Sequence, residues 1–159
     1  MRVLVTGCRG FIGSHFISKF GYKVGGVDKK DGIDITSNKF LFDAYKWKPS
    51  LIVHLAANCS TAKSLENPVD DFQNNVVGTL QVCELARITG AKVLYTSTCK
   101  VQPNDEGIRT PYGLSKYVGE LYLQEYSKLY GFEYIINRPG TIYGPGQKGS
   151  PESDRKSVV

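Results

Sequence analysis

Along the chain, short uninterrupted apolar runs alternate with longer stretches whose apolar residues recur at helical spacing. Residues 2–6 (RVLVT), 51–55 (LIVHL) and 92–95 (KVLY) are too short and too evenly apolar for amphipathic helices, which predicts strands buried on both faces. Residues 22–27 predict a second strand closing on Asp28, and residues 134–136 the last. Phe11–Phe20 predicts a helix after a glycine turn, and Ser37 or Asn38 can cap another that runs to Trp47 and stops before Pro49. Residues 69–89 repeat apolar positions at Val76, Leu80, Cys83, Leu85 and Ile88 and close at Gly90, while Pro111–Tyr130 closes at Gly131. The apolar faces of these two long helices, with Val118, Leu121 and Leu129 on the second, are expected to cover the sheet. A further strand between residues 28 and 50 has room only as a stub near 32–35. The alternation predicts a doubly wound α/β domain around a parallel sheet.

Composition narrows the picture without changing it. The chain has 159 residues, 41% hydrophobic and 22% charged, which fits one folded domain and excludes general disorder. Its net charge of +5 is dispersed, with no basic run longer than Lys29-Lys30, so no nucleic-acid footprint is expected; an anionic small ligand suits it equally well. No apolar run approaches the roughly 18 residues of a membrane span, and the first strand begins at once, which predicts a cytoplasmic protein. Cys8, Cys59, Cys83 and Cys99 lack metal-site spacing and are expected to be reduced thiols, with no metal bound.

Two motifs bring chemistry into this frame. Gly7-Cys8-Arg9-Gly10-Phe11-Ile12-Gly13 stands between the first strand and the first helix. There the glycines permit a tight turn, close backbone approach and helix–strand packing, so that a pyrophosphate can lie on the free N–H groups of the helix start. Asp28, closing the second strand, is placed to accept hydrogen bonds from the adenosine ribose hydroxyls and to repel a 2′-phosphate, which favours NAD over NADP; Lys29 and Lys30 soften that repulsion. Tyr112 and Lys116 open the second long helix one turn apart. A phenol of ordinary pKa about 10 is a poor base near neutrality, and a neighbouring ammonium lowers it. Thr98 can add a hydroxyl that holds a substrate oxygen.

Together these motifs resemble the extended short-chain dehydrogenase/reductases, in particular the NAD-dependent nucleotide-sugar epimerase/dehydratase group, over about residues 1–150. The resemblance implies a Rossmann-type domain over 1–147 that binds NAD through Gly7, Gly10, Phe11, Ile12, Gly13, Asp28, Asp34, Ile35, Leu55, Ala56, Ala57, Asn75, Thr96, Tyr112, Lys116 and Gly140. It implies a catalytic triad of Thr98, Tyr112 and Lys116, with Asn75 bracing the active-site backbone. It also implies a nucleotide-sugar substrate, and a homodimer through helices 69–89 and 111–130.

Cys99 and Lys100 stand where sugar dehydratases carry an Asp-Glu pair, which argues against dehydration. The run Thr96-Ser97-Thr98-Cys99-Lys100-Val101 is closest to that of CDP-paratose/tyvelose 2-epimerases, so hydride exchange with a tightly held NAD is expected. A redox-sensing NAD module without catalysis, and an NAD(P)-dependent sugar reductase, are the alternatives. Three departures from the family pattern stand out. Gln102-Pro103 replaces Tyr-Gly, Thr141 replaces Asn, and only 14 positions separate Thr98 from Tyr112, so a loop near the substrate is expected to be shortened. The substrate domain is expected to be absent, leaving a C-terminally truncated cofactor half with little or no turnover. Residues 148–159 predict a disordered tail. Its last six (DRKSVV) match what a sequencing-adapter read would encode, and so predict a non-native end.

Overall fold

Residues 1–20, 24–102 and 110–147 are described by a computed structural model. The start of the predicted second strand at residue 22, the run from Pro103 towards Tyr112 as far as residue 109, and the tail 148–159 lie outside the described residues. The strands are β1 (Val3–Thr6), β2 (Val24–Val27), β3 (Leu51–His54), β4 (Lys92–Thr96) and β5 (Tyr134–Asn137). All pair in parallel, in the order β2-β1-β3-β4-β5. The helices are α1 (Phe11–Phe20), α2 (Asn38–Trp47), α3 (Thr61–Glu66), α4 (Pro68–Phe72), α5 (Gly78–Thr89) and α6 (Pro111–Tyr130). This is the doubly wound, Rossmann-type α/β arrangement, and the strand order reverses between β1 and β3 at the carboxyl edge, where such sheets open a crevice.

Local chemistry explains where the helices begin and end. The Ser37 hydroxyl accepts the Phe40 N–H at 3.1 Å to start α2, which ends at Lys48 in a left-handed conformation (φ 51°) ahead of Pro49. Thr110 accepts the Gly113 N–H at 3.0 Å, Pro111 fills the first turn of α6, and Gly131 (φ 76°) terminates it. Val3, Val5 and Val53 pack with Phe16 and Ile17 of α1 on one face of the sheet. On the other, Leu4, Ile52, Val93 and Tyr95 pack against Phe40, Val82, Leu85 and Leu123 from α2, α5 and α6. Each such fully buried aliphatic side chain contributes about 1.5–3 kcal/mol relative to exposure.

Three expectations are corrected. No strand forms at 32–35: Asp28 caps a 3₁₀ turn at Lys29–Asp31, Gly32 turns the chain at φ 76°, and Asp34 accepts the Thr36 N–H at 2.9 Å, so the backbone is used in local turns. The helix expected over 69–89 is interrupted, because a π-helical turn at Gln73–Val77 separates α4 from α5 and turns Asn74, Asn75 and Val76 inward. The face that α6 buries is not its apolar one. Tyr112, Gly113, Ser115, Lys116, Gly119, Glu120 and Leu123 are buried, whereas Leu121 is 42% and Leu129 70% exposed. Small residues let α6 approach the sheet, for a Cβ on Gly119 would lie 2.5 Å from the Tyr95 hydroxyl oxygen.

Candidate active site

The predicted site residues gather at the carboxyl ends of the parallel strands. After β1, Gly7 sits at φ +70° with its N–H donating to the Val27 carbonyl at 2.9 Å, and Gly10 N–H closes the turn on Gly7 O at 3.0 Å. A Cβ on Gly7 would stand 2.7 Å from the Ala56 nitrogen, and one on Gly13 would overlap the Gly7 carbonyl oxygen. Loop, α1 and the 55–57 segment therefore meet backbone to backbone, and only glycine fits. Leu55 and Ala56 both donate their N–H to the Thr6 hydroxyl at 3.2 Å, which lays 55–57 beside the loop. Phe11 and Ile12 are half-buried at the start of α1, and Gly144 brings the chain beyond β5 to within contact of the Phe11 ring, where a Cβ would lie 3.4 Å from Cζ.

Asp28 joins the end of β2 to this loop. Its carboxylate accepts the Arg9 N–H at 2.9 Å and the Lys30 N–H at 3.0 Å. Asp34 accepts from the Thr36 hydroxyl (2.8 Å) and pairs with Lys29 at 3.2 Å; burial opposes its charge, yet these partners hold the carboxyl below its ordinary range. Ile35 is buried against Gly78, whose missing side chain makes the space: a Cβ would stand 2.6 Å from the Ile35 Cδ1.

At the other side of the crevice, Thr96 ends β4 and Thr98 caps the 3₁₀ turn Cys99–Val101 by accepting the Lys100 N–H at 3.3 Å. The Lys100 ammonium lies 2.6 Å from the Thr61 hydroxyl and 6.0 Å from the centre of the Tyr112 ring. Tyr112 and Lys116 are buried one turn apart on α6, and the Tyr112 N–H donates to Ser64 Oγ at 3.2 Å. Lys116 is 2% exposed, with Nζ 4.2 Å from the centre of the Tyr95 ring. Burial pushes its pKa down to about 7, against the opposing pull of Asp71, Glu120 and Cys59.

Around these groups lies a polar core that periodicity in the sequence does not reveal. Asn75 is fully buried; its side-chain Oδ1 accepts the Asn58 N–H at 2.8 Å, and its Nδ2 faces Asn58 O, Asp71 and Ser115 at 3.0–3.1 Å, leaving its main-chain oxygen for Thr79. Asn75 thus ties the backbone after β3 to Ser115 of α6. Asp71, raised by burial, accepts the Ser115 hydroxyl at 2.5 Å. His54 lies between the Thr6 and Thr79 hydroxyls at 2.7 and 3.1 Å. Because Thr79 spends its proton on the Asn75 carbonyl, it accepts from His54 Nε2–H, leaving Nδ1 to accept from Thr6. Burial, then Lys116, pushes the His54 pKa down to about 3, so the ring is neutral. Glu120, fully buried, takes Arg138 bidentately, with Nε at 2.9 Å and Nη2 at 2.5 Å, and pins the chain leaving β5 to α6. The spacing Tyr112, Lys116, Glu120 is one residue per helical turn on one face, the sequence signal from which Glu120 could have been found. Gly140, also expected near the cofactor, lies exposed beyond β5 with nothing within 4 Å of a Cβ built on it.

A glycine turn that admits no side chain, an acidic strand end hydrogen-bonded to it and a buried Tyr–Lys turn stand at the carboxyl ends of the strands, the setting in which a Rossmann-type sheet takes a dinucleotide. The sequence model of the NAD dependent epimerase/dehydratase family matches residues 3–158, and the chain belongs to that family. It is 33% identical to a UDP-glucose 4-epimerase of Mycolicibacterium smegmatis, covering 92% of this chain and 58% of the relative. It is 35% identical to a putative UDP-glucose 4-epimerase of Methanocaldococcus jannaschii, covering 98% and 61%. The crystal structure of Thermus thermophilus UDP-glucose 4-epimerase in complex with NAD superposes with a TM-score of 0.85 at 32% identity, over 96% of this chain and 59% of that one. The chain thus spans about three-fifths of the length of these relatives. The stretch aligned with the M. smegmatis enzyme, 181 residues, is longer than the chain's own 159, so that enzyme carries segments without counterpart here.

Proposed function

We propose that this chain is the cofactor-binding part of a nucleotide-sugar epimerase, in which Thr98, Tyr112 and Lys116 act on a ring hydroxyl of the sugar. The observation that carries the reading is the meeting, at one carboxyl edge, of the Gly7–Gly13 turn, the Asp28 carboxylate and the buried Tyr112–Lys116 turn. The residues present fit NAD: backbone N–H groups at the start of α1 for the pyrophosphate, Asp28 for the ribose hydroxyls, Asp34 and Ile35 beside the adenine, and Leu55 to Ala57 along the cofactor. Ser97 Oγ, buried beside Thr98, is without a partner among the described residues and adds an unmet polar group there. When bound, NAD supplies reversible hydride acceptance. Thr98 holds the substrate hydroxyl, Tyr112 takes its proton and later returns it, and the Lys116 ammonium makes the phenolate accessible.

The UDP-sugar enzymes among the relatives support a UDP-hexose as substrate, and the Thr96–Val101 run adds a CDP-sugar for testing. The 159-residue chain is expected to bind NAD and to convert UDP-glucose to UDP-galactose slowly or not at all. Wherever turnover is measured, Tyr112→Phe is expected to retain NAD and to lower that turnover by about 10²–10⁴-fold. Turnover that survives the exchange would remove Tyr112 from the mechanism, and stoichiometric NADH consumption would identify a reductase instead. Val69 and Phe72 on α4 and Leu114 and Leu121 on α6 are exposed, which supports a homodimer through these helices. Light scattering is expected to give twice the chain mass, and a monomer at micromolar concentration would overturn the pairing.

A further inference from the structure

Arg9 occupies the middle of the glycine turn, and its main-chain N–H is hydrogen-bonded to Asp28, the residue set to take the adenosine ribose. A guanidinium so placed would ordinarily suit a 2′-phosphate, which it can grip with two parallel N–H bonds. Here that fork is already occupied: Nε donates to Asp31 Oδ2 at 2.9 Å and Nη2 to Asp31 Oδ1 at 2.7 Å. The other cations of the strand end are likewise engaged. Lys29 reaches Asp34 at 3.2 Å and the side-chain Oδ1 of Asn74 at 2.5 Å, and the Lys30 ammonium lies 3.5 Å from the Arg9 main-chain carbonyl. Three carboxylates (Asp28, Asp31, Asp34) therefore stand among three cations (Arg9, Lys29, Lys30) just beyond the end of β2.

We propose that Asp31 sets the choice of NAD over NADP by occupying the Arg9 guanidinium; the proposal rests on the reading that this loop binds a dinucleotide. Asp28 repels the 2′-phosphate directly, whereas Asp31 withholds the group that would bind it. Removing the Asp31 charge leaves three cations against two carboxylates and frees the Arg9 fork towards the ribose. The Arg9 hydrogen bonds also hold the Asp31 carboxyl below its ordinary pKa range, so the clamp is ionised at neutral pH.

The test is a pair of calorimetric titrations, NAD and NADP, into the 159-residue chain at fixed salt. The wild-type chain is expected to bind NAD more tightly. In Asp31→Asn and Asp31→Ser, the ratio of NADP to NAD affinity is expected to rise about tenfold or more, as one added charge-assisted hydrogen bond would give. The double variant Arg9→Ala with Asp31→Asn is expected to return the ratio to its starting value. Glu133→Gln makes the same charge change at the amino end of the sheet, in the Lys92–Glu133 pair, and is expected not to move it. A ratio unchanged in both Asp31 variants, a rise that persists without Arg9, or an equal rise in Glu133→Gln overturns the proposal while leaving NAD binding intact. Failure of the wild-type chain to bind either dinucleotide overturns the reading of the loop itself.

Discussion

Lys116→Met is expected to stabilise the folded chain at pH 7, by about 2–4 kcal/mol, while removing a group that the proposed chemistry requires. The ammonium is buried beside the Tyr95 ring, and its pKa falls from the ordinary 10.5 to about 7. Between these values the unfolded chain holds a proton that the folded chain has released. Stability attributable to Lys116 therefore rises with pH across the window from 7 to 10.5, by about 1.4 kcal/mol per unit. Below pH 7 both states are protonated and the full cost of burial stands. Urea unfolding of the wild type and Lys116→Met should accordingly differ most at pH 7 and below, and converge as pH approaches 10.5. Taking the difference between the two proteins cancels the thiol of Cys83 and the phenol of Tyr126, both pushed up to about 12 by burial in the folded chain, whose unfolded counterparts titrate within the window. Equal stability of the two proteins at pH 7 would show that Lys116 is held there without strain.

The second large effect is expected at Gly13. A methyl group there would overlap the Gly7 carbonyl oxygen and lie 2.8 Å from Cys8 Cα, both backbone atoms of the glycine turn. Neither can yield without displacing the turn or α1, so Gly13→Ala is expected to cost about 3 kcal/mol in urea unfolding and to abolish NAD binding in the same preparation. Gly90→Ala supplies the contrast. Gly90 has φ +69° but nothing within 4 Å of its Cβ position, so the exchange meets only the backbone penalty of about 1–2 kcal/mol and leaves the loop alone. If Gly13→Ala cost no more than Gly90→Ala, the close approach of α1 to the turn would not be limiting.

How far the sequence discloses this molecule depends on how local each signal is. The limits of α2 and α6 are legible because Ser37, Pro49, Pro111 and Gly131 act on their immediate neighbours. The strands are legible because both faces of the sheet are apolar at β1, β3 and β4. α3 is only six residues long, too short for periodicity, and its one local mark is the Ser60 cap that accepts the Lys63 N–H at 3.3 Å. The stretch 32–35 has room for no more than a stub of strand, and the Asp34 side chain competes for its backbone and makes a turn instead. Within the candidate site, the order of glycine turn, acidic strand end and Tyr–Lys turn can be read from spacing. The bonds from Ser115 to Asp71 and Asn75, the Glu120–Arg138 pair and the Arg9–Asp31 clamp join residues 18 or more positions apart, and no window along the chain contains them.

The π-helical turn at Gln73–Val77 fixes the phase between two halves of one helical rod. Each residue of an α-helix advances the side chains by about 100°, so loss of one residue from this turn would rotate everything beyond it by that angle. Asn75 could keep its grip on Asn58 and Ser115, or Val82, Leu85 and Ala86 could keep their place in the core, but not both. Single-residue insertions and deletions are thereby barred from this stretch, although substitutions at its exposed Gln73 are not. A descendant of this sequence can lengthen or shorten its loops and still fold, but through this turn it must keep count.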